Sequence, residues 1–151
     1  MRVYTKLISD SELKILKIAS EHDISPKLIS FQALENNKFR SEIQLYPLTL
    51  DDIPLQERKQ YINSIKDLVN QLHQLQIFHG DISEENIVVD PKTNKVRIID
   101  FGLSKFFQDI TPDYYTEENQ VFFNESHLLE DLLQNELKEV DFICGNWNHL
   151  T

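Results

Sequence analysis

Two stretches carry the side chains best suited to chemistry: His79-Gly80-Asp81-Ile82-Ser83-Glu84-Glu85-Asn86 and Asp100-Phe101-Gly102. Between them lie two runs rich in β-branched residues, Ile87-Val88-Val89 and Val96-Arg97-Ile98-Ile99, flanking the turn Asp90-Pro91-Lys92-Thr93-Asn94-Lys95. Runs of this type around a polar turn pair as a small antiparallel ribbon. The ribbon gathers Asp81, Asn86 and Asp100 on loops at the ends of two paired strands. Oxygen donors of this kind suit magnesium, which takes a few carboxylate or carbonyl groups and fills its shell with water and phosphate oxygens. A free carboxylate beside such an ion can accept the proton of an attacking hydroxyl. Each residue also has a plainer use: His79 and Asp81 can brace a loop, Asn86 can close a turn, and Phe101 can fill a core. Those uses explain each residue but not the joint spacing.

The elements that must hold these loops are readable upstream. Ser11 is placed to cap a helix over residues 12–19, with apolar positions 15, 16 and 19 at helical spacing and Glu12 in the first turn. Ile24-Ser25-Pro26 ends it. Residues 27–34 and 39–46 flank the polar turn Glu35-Asn36-Asn37-Lys38 and predict a hairpin. Residues 47–54 form a connector with a short helical turn. Beyond it Tyr61, Ile62, Ile65, Leu68, Val69, Leu72 and Leu75 mark one face of a long amphipathic helix over about residues 55–74. Past Gly102 the chain reads as irregular until Leu128, Leu129, Leu132, Leu133, Leu137 and Val140 define a last helix, capped by Asn124 or Ser126.

Composition narrows the classes. The 151 residues, 40% hydrophobic, suffice for one compact domain with its own core. The net charge of -10 opposes binding to nucleic acid or anionic lipid. Residues 1–107 hold 15 acids and 14 bases, whereas residues 108–151 hold the other 10 acids and only Lys138, so the last segment supplies most of the charge. That segment reads as a solvated acidic face, or as a surface that docks a basic partner or blocks the protein's own basic substrate groove. One cysteine, Cys144, excludes an internal disulfide and a cysteine metal cluster. With no apolar signal segment and no run near the roughly 20 residues of a membrane helix, the expected setting is soluble, intracellular and cytoplasmic. The three glycines are Gly80, Gly102 and Gly145, which excludes a glycine-rich phosphate loop before Gly80.

The ordered set of long helix, loop, ribbon and Asp100-Phe101-Gly102 resembles the protein kinase superfamily, whose signatures are H-R-D-x-x-x-x-N and D-F-G. The resemblance implies an α+β fold, a truncated protein-kinase-like domain with a remnant N-lobe over about residues 1–45, a hinge near residues 45–50 and a minimal helical C-lobe over about residues 46–151. It also implies ATP- and magnesium-dependent phosphoryl transfer to a protein serine or threonine hydroxyl, with manganese as a substitute ion. On this basis Asp81 would orient or deprotonate the hydroxyl, Asn86 and Asp100 would hold the metal, and His79 would brace the loop. Val3-Tyr4-Thr5-Lys6 looks like the V-A-I-K strand, so Lys6 would contact phosphate and Glu12 would position Lys6. Only five residues separate the two, so the connection between strand and helix must be very short.

Departures from the pattern matter as much. Gly80 replaces the arginine of H-R-D and no A-P-E follows Gly102, which argues against control by activation-loop phosphorylation. Ser83 stands where many kinases carry a lysine, and H-G-D-x-S/T is similar to RIO kinases, the kinase subunit of the KEOPS complex and aminoglycoside-type phosphotransferases. A glycine-rich loop and two further strands have no room before Val3, so a partner chain is one source of the missing nucleotide cover. Two other readings stand beside the protein kinase: a kinase-derived binding or inhibitory module that phosphorylates little, and a small-molecule phosphotransferase, which lacks here the large helical region that encloses its substrates.

Overall fold

The computed structural model describes residues 2–110. The last helix expected around residues 128–140 and nearly all of the acidic segment lie outside the described residues, as does Gly145.

Strand β1 (Val3–Ser9) runs without a loop into helix α1 (Asp10–Glu21), so the short connection expected between Lys6 and Glu12 is met by a direct strand-to-helix junction. Ser9, not Ser11, caps the helix, accepting the Glu12 N–H at 3.2 Å. A capping oxygen must lie two or three residues ahead of the N–H it receives. Ser11 is already inside the first turn and pairs its hydroxyl with that of Ser9 at 3.1 Å. Leu13, Ile15, Leu16 and Ala19 form the buried face of α1.

The expected hairpin is present as β2 (Leu28–Ala33) and β3 (Lys38–Gln44), joined through Asn36 and Asn37 at φ 60° and 56°. Asparagine tolerates this left-handed geometry better than most residues. β3 lies between β1 and β2 in an antiparallel sheet, with Lys6 opposite Ser41 and Tyr4 opposite Ile43. The polypeptide then crosses to the second half through β4 (Leu48–Thr49).

The helix expected over residues 55–74 divides in two. Leu55–Tyr61 is a 3-10 segment, and helix α2 proper covers Ile62–Gln74. Its apolar stripe explains the division: Tyr61, Ile65, Leu68, Val69 and Leu72 are buried at α-helical spacing, whereas Leu55 is exposed and residues 56–60 offer no apolar face to dock. After α2 come β5 (Ile77–Phe78), the ribbon of β6 (Ile87–Asp90) and β7 (Lys95–Ile98), and β8 (Lys105–Phe106). The antiparallel ribbon is present as expected, with Ile87 opposite Ile98, but it gains β4 as a third strand against β6. β8 pairs with β5 in a stretch the sequence suggested to be irregular.

A single hydrophobic core joins the halves, running from Ile8, Leu16, Ile24 and Ile43 to Ile65, Leu72, Ile87, Ile98 and Phe101. The Ile98 N–H donates to the Ile24 carbonyl at 2.8 Å, tying the end of the ribbon to the turn after α1. The α+β class expected from the sequence is the class observed.

Candidate active site

The six residues singled out from the sequence divide into two groups, and four of the six, Lys6, Glu12, Asn86 and Asp100, line one cleft. The first is built on β1 and α1. Lys6 projects from β1 and places Nζ 2.9 Å from Glu12 Oε2. Glu12 is the third helical residue of α1, so the cap that starts the helix also aims its carboxylate at Lys6. On its other side the same Nζ lies 2.9 Å from Asp100 Oδ1. Gly102 adds its backbone N–H to that oxygen at 3.2 Å, and its Cα lies so near that a Cβ there would come within 3.2 Å of Asp100 Oδ1.

These contacts set the charges. Burial pushes the Asp100 carboxyl upward, but hydrogen bonds from Lys6 and the Gly102 N–H, with the lysine charge, outweigh it and hold the group below its ordinary value. Burial likewise works against the Lys6 ammonium, yet Glu12 and Asp100 together raise its pKa. Asp100 has φ 64°, an unusual conformation that aspartate can adopt and that costs of order 1–3 kcal/mol. The backbone there is held in the turn that presents the carboxylate to Lys6.

The second group is the loop itself. His79 is fully buried, and its Nδ1 accepts the Asp81 N–H at 3.1 Å. That bond leaves Nε2 as the protonated nitrogen, which donates to the Ile99 carbonyl at 3.0 Å. His79 therefore links the loop to the residue before Asp100, and its ring meets Phe101 edge-on at 5.2 Å. Ser104 Oγ donates to the His79 carbonyl at 2.7 Å. Asn86 Nδ2 donates to both the Asp81 carbonyl and Asp81 Oδ2 at 3.0 Å, leaving Oδ1 as the amide atom able to ligate a cation. Burial raises the Asp81 pKa, with the Asp100 and Glu85 charges adding to it and the Asn86 amide opposing.

Lys6, Glu12, Asn86 and Asp100 line one cleft of about 180 Å³, with Tyr4, Ile8 and Ile43 on its apolar side. Asp81 adjoins it through Asn86. Two oxygen donors, Asn86 and Asp100, fit a magnesium ion that draws its remaining ligands from water and phosphate. No cluster of three or more histidine, cysteine or acidic side chains able to hold a metal occurs among the described residues.

Gly80 has φ +89°, and a Cβ at that position would lie 2.7 Å from the Leu103 carbonyl oxygen. The backbone of the loop is packed directly on the segment after Gly102, and the arginine of H-R-D has no space here. Sequence reasoning did not find Arg58, a buried cation bonded to Glu84 of the same loop at 2.9 Å. Its only signal, a charged residue ahead of an apolar stripe, is indistinguishable from a solvated one.

The model of the protein kinase domain matches residues 13–129, and the chain belongs to that family. Casein kinase II subunit alpha' of Saccharomyces cerevisiae is 28% identical over 132 residues, which make up 87% of this chain and 35% of the yeast protein. The chain thus spans about a third of the length of that curated relative. The solved kinase PK-1 of Cydia pomonella granulovirus shares the fold with a TM-score of 0.65 at 19% identity, over 93% of this chain and 65% of that one. Among the described residues no helix is long and apolar enough to cross a membrane.

Proposed function

We propose that this kinase-type domain transfers the terminal phosphoryl group of ATP, with magnesium, to a serine or threonine hydroxyl of a protein substrate. The observation that carries the reading is the bridge of Lys6 between Glu12 and Asp100, closed over a cleft that also holds Asn86. Residues 1–45 act as the smaller lobe and the rest as the larger one. Lys6 draws the phosphates by charge, and Glu12 holds Lys6 in place. Asn86 Oδ1 and Asp100 would hold magnesium, which when bound neutralises charge on the phosphate oxygens. The substrate hydroxyl forms a bond to the terminal phosphorus while the bond from that phosphorus to the bridging oxygen breaks. The hydroxyl proton passes to Asp81, whose raised pKa makes it a better acceptor than an ordinary carboxylate.

Incubation with labelled ATP and either magnesium or manganese, with Asp100→Ala alongside, tests the proposal. Transfer should occur with the parent and not with the variant. ATP binding should fall sharply with chelator, because the phosphates are drawn by the metal and by Lys6. Tight binding indifferent to chelator would overturn this account of the site.

One observation favours a second reading, a kinase-derived binding module. Asp100 Oδ1 already carries Lys6 Nζ and the Gly102 N–H, so a cation must compete for that oxygen. A parent that captures a protein partner without transferring phosphate to any hydroxyl supports this alternative.

A further inference from the structure

Arg58 lies far from the candidate loop in sequence, in the 3-10 segment Leu55–Tyr61, yet only 8% of its surface is exposed. Its guanidinium is held at two points. Nε donates to the Ile53 carbonyl at 2.8 Å, and Nη1 donates to Glu84 Oε2 at 2.9 Å. A buried charge is costly to keep unless it is paired and hydrogen-bonded, so this pair is a specific arrangement and not a surface accident.

The turn that receives Arg58 is weakly held from within. Glu84–Asn86 is a single 3-10 turn whose preceding residue, Ser83, supplies no side-chain cap. The Ser83 hydroxyl is buried and without a partner. The Asn86 N–H donates to the Ser83 carbonyl at 3.0 Å across the turn. The Ile99 N–H fixes its far end by donating to the Asn86 carbonyl at 2.9 Å. The near end is fixed by Arg58 through Glu84. Asn86 then carries the geometry onward through its two bonds to Asp81.

We propose that Arg58 is a positioning residue: through Glu84 it sets the turn that aims Asn86, and through Asn86 the carboxylate of Asp81. The inference rests on the phosphotransferase reading above and assigns its metal geometry to a residue that touches neither metal nor substrate. Residues that orient ligands in this way change metal affinity or activity by about 10- to 100-fold when removed.

The test compares Arg58→Met, Glu84→Gln and the double variant in the full chain. Three quantities are read: backbone amide exchange of Glu85, Asn86 and Ile87 without ligand, the magnesium concentration giving half-maximal transfer, and Tm. Arg58→Met should speed exchange at Asn86 more than at Leu68 and Val69 in α2, and raise the magnesium requirement about 10-fold. The double variant should regain Tm, because no orphaned charge is left buried, while its magnesium requirement stays high. If Tm and magnesium requirement recover together, or exchange at residues 85–87 and the magnesium requirement are unchanged in a folded Arg58→Met, Arg58 serves packing alone and the proposal is overturned. Should Arg58→Met not fold, Glu84→Gln, which keeps the side-chain shape, must show the same local loss of protection. A parent that neither binds magnesium-ATP nor transfers phosphate defeats the phosphotransferase reading, while the exchange measurement still decides whether Arg58 holds the turn.

Discussion

Lys6 and Asp100 stand 94 positions apart in sequence, and their side chains meet with Nζ 2.9 Å from Oδ1. The contact joins the first strand of the domain to the loop after its last ribbon, across the cleft that separates the two halves. Because Glu12 holds the same ammonium from the other side, the lysine is shared between two carboxylates of different burial. Glu12 is almost enclosed, whereas Asp100 faces the cleft, where a phosphate can replace it beside Lys6 and a metal can draw its carboxylate away from Lys6.

The bridge gives stability a pH window whose ends follow from the two pKa directions. Asp100 is depressed below its ordinary 3.8, so its contribution is complete above that value and is lost as pH falls through the lower folded value. Lys6 is raised above its ordinary 10.5, so its contribution is complete below that value and is lost as pH rises past the higher folded one. The Tm difference between the parent and Lys6→Met should be steady from about pH 5 to 9 and shrink toward pH 3. A difference that grows on acidification would contradict the bridge.

Asp81 and Asp100 should separate by function. Asp81→Asn removes the proton acceptor with little change in volume, so transfer should fall by about 10² to 10⁴ while nucleotide binding persists. Burial penalises the ionised Asp81 in the folded state at neutral pH, and that penalty is relieved as pH falls. The same variant should therefore keep its Tm or raise it. Asp100→Ala should lose binding and transfer together. If both variants act on their partner as the parent does, phosphoryl transfer is not the function.

Helix α2 should be the least tolerant element. Leu72 is fully buried and Leu68 nearly so, and replacing either by alanine should cost about 2 to 5 kcal/mol in denaturant unfolding. That is a large share of the about 5 to 15 kcal/mol by which a typical domain is stable. An unchanged unfolding midpoint would show that the helix does not centre the core.

Gly80→Ala should disturb the loop where no charge is altered. With φ +89° and the Leu103 carbonyl 2.7 Å from the new Cβ, the substitution should cost about 1 to 3 kcal/mol and depress transfer by displacing Asp81 next to it. A variant with the parent's Tm and rate would mean that the close approach is not needed.

How far the molecule was legible varies by element. The hairpin, the ribbon, α1 and the buried stripe of α2 followed from side-chain period and turn residues, because those signals act within a few neighbours. The capping serine was misplaced by two residues, since Ser9 and Ser11 offer the same chemistry and only the direction of the preceding strand selects between them. β4 and β8 have two residues each, too few to show a period, and exist because β6 and β5 offer them an edge.

For the site, the sequence alone offered the candidates: Asp81, Asn86 and Asp100 by their spacing, His79 by its place beside them, and Lys6 and Glu12 through the resemblance to the kinase strand and helix. Residue identity and local period carry that much. Tertiary structure decided who meets whom. It placed Lys6 between two carboxylates, set the tautomer of His79, closed Gly80 on Leu103 and buried Arg58 against Glu84. Each of these depends on distances between elements remote in sequence, and such distances are fixed only when the shared core from Ile8 to Phe101 packs the two halves together.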